Sequence, residues 1–203
     1  MEFGLNFLED AVPGVIENVV GRYMAKANEW LDEQVAIGDG TTEPEGIFVT
    51  SGVTNPTIAT ATTGPYVIGD FTEVLFAVQK AYRTAFPASR AAYIMTDPAY
   101  YLVRSIATGV TGDTRLIFGM DIESYMLFGH PVAIVATGLT NDQFAFLQCG
   151  GYRLYRRQGP RFRMTKEGRT NFLANTMTLA ADMRWGGQLD RVGYAAVETS
   201  GIP

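Results

Sequence analysis

Apolar residues recur with two different periods along this chain. Between residues 13 and 37, Val15, Ile16, Val19, Val20, Tyr23, Met24, Ala27, Trp30 and Leu31 fall three, four and one apart. Glu17, Asn18, Arg22, Lys26, Glu29 and Asp32 fill the gaps. That stripe predicts a long amphipathic helix. Asp10 ahead of Pro13 is a start signal, and Gly38-Asp39-Gly40 is a stop and a turn. From Met177 to Trp185 the period is two. Met177, Leu179, Ala181, Met183 and Trp185 alternate with Thr178, Ala180, Asp182 and Arg184, which predicts a strand with one buried face within the element 171–190.

The chain between these two elements is mixed. Residues 41–66 are rich in Thr, Gly and Pro and read as a loop with short strands at 47–50 and 57–61. Asp70 and Glu73 have capping-box spacing and predict a helix that runs through Phe86 and stops at Pro87. Residues 92–95 predict a buried strand, and Asp97-Pro98 a cap opening a helix to about Ala107. Residues 116–118 read as a short strand or turn, and Val132–Val135 is β-branched. Residues 144–157 predict a strand, and 161–164 its partner across a Gly159-Pro160 turn. Residues 192–198 make a last short strand. Helices and strands follow one another without regular βαβ alternation, so the fold class is α+β.

Composition removes most enzymatic readings. The chain has 203 residues, 47% hydrophobic and 18% charged, enough for a substantial core. No apolar run approaches a membrane span, and the N-terminus lacks the pattern of a signal peptide. Cys149 and His130 are the only cysteine and histidine, so triads and His/Cys metal sites lack parts. No catalytic, cofactor-binding or metal-binding residue is assigned. Gly38-Asp39-Gly40 lacks the third glycine and the Lys-Ser/Thr of a phosphate loop and reads as a turn. His130 reads as structural, Cys149 as a buried thiol, and Asp121 with Glu123 as part of a solvated loop. The many mid-chain aromatics read mostly as core; a subunit packed against copies of itself would also keep some at its contacts, and the sequence alone does not divide the two groups.

Charge is unevenly distributed. Residues 1–50 carry ten acidic residues against Arg22 and Lys26, whereas residues 153–169 carry seven basic ones against Glu167. Two solvated faces would explain this. So would an acidic surface on one subunit meeting a basic surface on the next. The net charge of −5 argues against binding that depends on phosphate neutralisation.

The ordered series Leu8-Glu-Asp-Ala-Val-Pro13, Gly38-Asp-Gly-Thr41, Pro44-Glu-Gly-Ile47, Tyr93-Ile-Met-Thr-Asp-Pro98, Phe128-Gly-His-Pro-Val132, Gly150-Gly-Tyr152, Lys166-Glu-Gly-Arg169 and Asn171-Phe172 resembles the major capsid proteins of tailed bacteriophages, of the Hong Kong 97 type. The resemblance covers about residues 8–198. It implies a long spine helix, a peripheral domain (1–50 and 150–190) and an axial domain (51–149 and 191–203).

It also implies a structural subunit that catalyses nothing, binds no cofactor, and self-assembles as pentamers and hexamers into the icosahedral head around the genome. Scaffold, protease, portal or decoration proteins are the further partner classes. No specific nucleic-acid recognition and no membrane contact are expected, and the site of action is the virion, after synthesis in the bacterial cytoplasm. An encapsulin-like compartment shell is the alternative, and a small α+β enzyme a more distant one. Family members carry an N-terminal arm and extended loop before the spine helix, whereas here the helix is expected almost at Met1. The chain is therefore expected to fold but to stay a monomer or a small ring. Asn175 and Asp182 match the family's isopeptide-forming asparagine and assisting carboxylate. Without the partner lysine's segment, no cross-link is expected.

Overall fold

The computed structural model describes residues 2–4, 15–56, 68–87, 90–104, 106, 125–135, 138–139, 143–165 and 176–198. Expectations for residues 57–61, 116–118, Asp121, Glu123 and Asn175 lie outside these. The chain divides into two compact units: residues 1–28 with 155–186, and residues 29–154 with 187–203.

The first unit is a helix and a three-stranded sheet. Helix α1 (Val15–Ile37) enters it with its N-terminal half. The sheet has the order β1-β7-β6, with β1 at Glu2–Gly4, β6 at Tyr152–Thr165 and β7 at Thr176–Leu189. Strand β1, which the sequence pattern did not predict, runs antiparallel to β7, with Phe3 opposite Met177. The Tyr23 hydroxyl donates to the Ala181 carbonyl at 3.3 Å, and its ring meets Phe162 edge-on with centroids 5.5 Å apart. The expected turn at Gly159-Pro160 is not there: β6 continues through both residues. Pro160 removes one N–H, which an edge strand tolerates because only one side of it is paired.

The second unit is built on a mixed five-stranded sheet of order β3-β4-β2-β5-β8. Its strands are β2 (Ala91–Met95), β3 (Met126–Leu127), β4 (His130–Ile134), β5 (Phe144–Gln148) and β8 (Ala195–Glu198). Strand β2 is parallel to β4 and antiparallel to β5. Every residue of β2, β5 and β8 is buried, because both faces of the sheet are covered.

Alternation sorts the side chains into two cores. Tyr93, Met95, Phe144, Phe146 and Ala196 pack on one side with Phe71, Val74 and Val78 of α2 (Ile68–Ala77) and with Ala99, Tyr100 and Val103 of α4 (Asp97–Arg104). Ile94, Ala145, Leu147, Ala195 and Val197 pack on the other side with Ala36, Ile47, Val135 and Leu189.

Several local expectations change. The helix opened near Asp70 ends at Ala77, and a separate short helix, α3 (Lys80–Arg83), follows. Val78 is buried in the core, and the Gln79 carbonyl accepts the N–H groups of Tyr82 and Arg83 at 2.9 and 3.0 Å, restarting the helix. Asp70 lies within the first turn of α2, not ahead of it. The cap of α4 is Thr96, whose Oγ1 accepts the Ala99 N–H at 3.3 Å, which places Asp97 inside the helix. Residues 144–157 are not one strand, since a 3₁₀ turn at Cys149–Gly151 separates β5 from β6.

Residues 47–50 form a turn, and this turn finishes α1. The Ile47 and Phe48 N–H groups donate to the carbonyls of Val35 and Ala36, both at 3.0 Å. Gly46 N–H donates to the Gly38 carbonyl at 2.9 Å. These bonds satisfy helix-terminal carbonyls that would otherwise have no partner. A strand at 47–50 would have spent those donors elsewhere.

Candidate assembly surfaces

The residues singled out for chemistry are dispersed among different local roles. Asp39 organises the turn after α1. Its carboxylate accepts the N–H groups of Thr41 at 2.8 Å and Thr42 at 3.0 Å, which hold its carboxyl below the usual range. His130 opens β4, edge-on to Phe146 at 5.2 Å and Tyr93 at 6.4 Å between centroids. Its Nδ1 is buried and has no hydrogen-bond partner among the described residues. The expectation of a buried thiol at Cys149 is corrected: the residue is exposed, because the 3₁₀ turn swings it off the end of β5. It lines a shallow groove with Arg90, Ala92, Pro131 and Val132. Partial desolvation there pushes its thiol pKa up, the opposite of an activated nucleophile.

Asp182 is committed to its own sheet. It accepts from Gln158 Nε2 at 2.6 Å and pairs with Arg163 at 3.1 Å. Among the described residues no group of three His, Cys, Asp or Glu side chains could hold a metal ion. No described helix is long and apolar enough to cross a membrane.

The surfaces are more informative than these single residues. The first unit has nine basic residues against six acidic, and the second has seven against fifteen. Charge therefore segregates by packing unit, which the sequence showed only as two runs. On the sheet of the first unit, Phe162 faces Tyr23 of α1, so the neighbours Arg161 and Arg163 point away from the helix. The Arg163–Asp182 pair places Asp182, and by alternation Arg184, on that outward face. Arg163 is 70% exposed and Asp182 41%. Arg161 and Arg184 have no carboxylate partner among the described residues. On the second unit, Tyr101 is 73% and Phe76 65% exposed. Continuous apolar runs marked the core strands β2 and β5 in the sequence, but exposed aromatics carry no period, so sequence alone could not separate these from the core.

Unpaired charge, exposed aromatics and dispersed reactive groups describe a building block whose work is done at its surfaces. The phage capsid family matches residues 3–197, and the chain belongs to that family. It is a major capsid protein, a shell subunit of the virion. Its fold is similar to the capsid of a native GTA particle (17% identity, TM-score 0.74), covering 98% of this chain and 69% of that one. It is also similar to a chain of Gordonia phage Cozz (16%, TM-score 0.67, 98% and 67% covered). A third similar structure is the SrpI encapsulin of Synechococcus elongatus (12%, TM-score 0.62, 99% and 71% covered). At these identities the likeness is one of fold. A search of curated protein sequences returns no match.

Proposed function

We propose that this subunit assembles as pentamers and hexamers into an icosahedral head that encloses a phage genome, and that it catalyses nothing. The observation that carries the reading is the family match along residues 3–197. The separation of charge between the two packing units supports it, because subunits that tile a shell need complementary edges. Scaffold, protease, portal and decoration proteins are the partner classes this role entails, and synthesis takes place in the host cytoplasm.

Within a shell, residues 1–50 and 150–190 would form the peripheral domain, and 51–149 with 191–203 the axial domain. That division follows position around a symmetry axis. The compact units follow packing, and they assign residues 29–50 to the larger unit because Ala36 and Ile47 belong to its core.

An encapsulin-like compartment is the second reading, and the likeness to the SrpI encapsulin is what favours it. Light scattering and electron microscopy of the purified chain test the shared premise. Association into small rings at high concentration is expected, and a chain that stays monomeric at every concentration overturns it. Nuclease-protected DNA inside particles from the native host supports the head, whereas a protein cargo without DNA supports the compartment.

A further inference from the structure

We propose that the outward face of the β1-β7-β6 sheet, through Arg161, Arg163 and Arg184, docks on the acidic end of helix α1 and its following turn, residues 29–45, in a second copy of this chain. The proposal rests on the shell reading and adds to it a specific contact. Between residues 29 and 45 stand Glu29, Asp32, Glu33, Asp39, Glu43 and Glu45, with no cation among them. Asp32 and Asp39 are exposed. This turn is also tied down by hydrogen bonds: its backbone donates to the helix-terminal carbonyls, and Asp39 is held by Thr41 and Thr42. The Asp39 carboxylate is therefore presented in a fixed position, which lowers the entropy lost on docking.

The arginine face is equally well defined. Asp182 consumes part of one charge on it, through Arg163, and leaves Arg161 and Arg184 in excess. A guanidinium is the side chain best suited to pairing with a carboxylate across an interface. Two other basic residues of β6 are already engaged. Arg153 pairs with Asp190 at 3.1 Å, and Arg156 lies over the Trp185 ring at 5.9 Å. The contact is thereby narrowed to the part of the basic run beyond Arg156, where Arg157, Arg161 and Arg163 are all exposed. The two patches are different surfaces of one chain, so the contact is heterologous and propagates from copy to copy, as a ring requires.

Packaged nucleic acid is the competing occupant of an arginine face. The acidic segment favours a second copy, because the chain itself supplies the complementary surface. Charge reversal distinguishes the two. Sedimentation of the full chain at low salt is compared for the wild type, R161E/R184E, D32R/E43R and the four-site combination, with retention on duplex DNA measured in parallel. Each two-site variant is expected to associate about tenfold more weakly, and the four-site chain to recover most of the loss. Circular dichroism checks that each variant is folded.

Association that survives both reversals overturns this contact and leaves the shell reading intact. Loss on the arginine side without recovery, together with loss of DNA retention, overturns it in favour of nucleic acid. A wild-type chain with no association at any salt overturns the shell reading as well.

Discussion

The Tyr152 hydroxyl donates to the Glu45 carbonyl oxygen at 3.0 Å, joining the first residue of β6 to the turn that follows α1. The Glu45 N–H in turn donates to the Gly187 carbonyl at 2.8 Å. Three distant parts of the chain are fastened here in the second unit. Burial, reinforced by the nearby Glu45 charge, pushes the Tyr152 pKa up to about 12.

Tyr152→Phe is therefore expected to lower stability by about 1 kcal/mol at neutral pH. The pH dependence has a definite sign. In the unfolded chain a tyrosine ionises near its ordinary value of 10, whereas the folded chain keeps the proton to about 12. Above pH 10 the unfolded state sheds a proton that the folded state retains, so this contribution to stability falls as pH rises. Urea titrations at pH 8 and pH 11 should show a smaller loss in the Phe variant than in the wild type. An identical loss in both would show that Tyr152 is not the group responsible.

Gly46 and Gly38 sit where the backbone of the turn crosses the end of α1. A Cβ on Gly46 would lie 2.5 Å from the Ala36 carbonyl oxygen and from the Gly38 nitrogen, both of them backbone atoms. Gly46→Ala is expected to destabilise the fold by about 2 kcal/mol, near the middle of the range for overpacking. Gly21→Ala is the control, since nothing lies within 4 Å of its added methyl. Thermal melts that leave Gly46→Ala as stable as Gly21→Ala would contradict the crossing.

Asp39 predicts an acid response opposite in direction to that of Tyr152. Its folded pKa is depressed by the Thr41 and Thr42 N–H groups. The stability it contributes is present above the unfolded value of 3.8 and is lost as pH falls through the folded one. Asp39→Ala should melt lower than the wild type at pH 7, and the two melting temperatures should converge toward pH 2. A constant gap across that range would remove the carboxylate from the explanation.

Cys149 is accessible but not activated. A small disulfide reagent should label it completely in the native protein, more slowly than it labels free cysteine, with a rate that climbs as pH rises past the usual thiol range. Cys149→Ser should leave the melt within about 0.5 kcal/mol of the wild type. A thiol that reacts only after denaturation would place it in the core after all.

The elements legible in the sequence were those whose partners impose a period. The stripe from Val15 to Leu31 and the alternation from Met177 to Trp185 each keep one period over many residues, and both elements are present as a helix and a strand. Strand β1 was not legible because Glu2–Gly4 is too short to carry a period and is held by pairing to β7. The turn at residues 47–50 was mistaken for a strand because Ile47, Phe48 and Val49 look extended in isolation. Their N–H groups are claimed by α1, a tertiary fact. Gly159-Pro160 signalled a turn by local chemistry, and only the edge position of β6 makes the pair compatible with a continuous strand. The assembly surfaces were legible as charge runs. Their assignment to opposite packing units required the fold, because residues 29–37 share a helix with the first unit but pack in the second.

Both units are interleaved along the chain, the first closing with residues 155–186 and the second with 187–203. Strand β8 supplies an edge of the central sheet and pairs along β5, with Ala196 opposite Phe146 and Val197 opposite Ala145. A ribosome that has released residues 1–150 has therefore released neither unit in finished form. The acidic turn can take shape early, but Glu45 and Tyr152 cannot be locked to Gly187 until the late strands emerge. On the proposed contact, a nascent chain that has not yet supplied residues 155–187 lacks a complete mating surface.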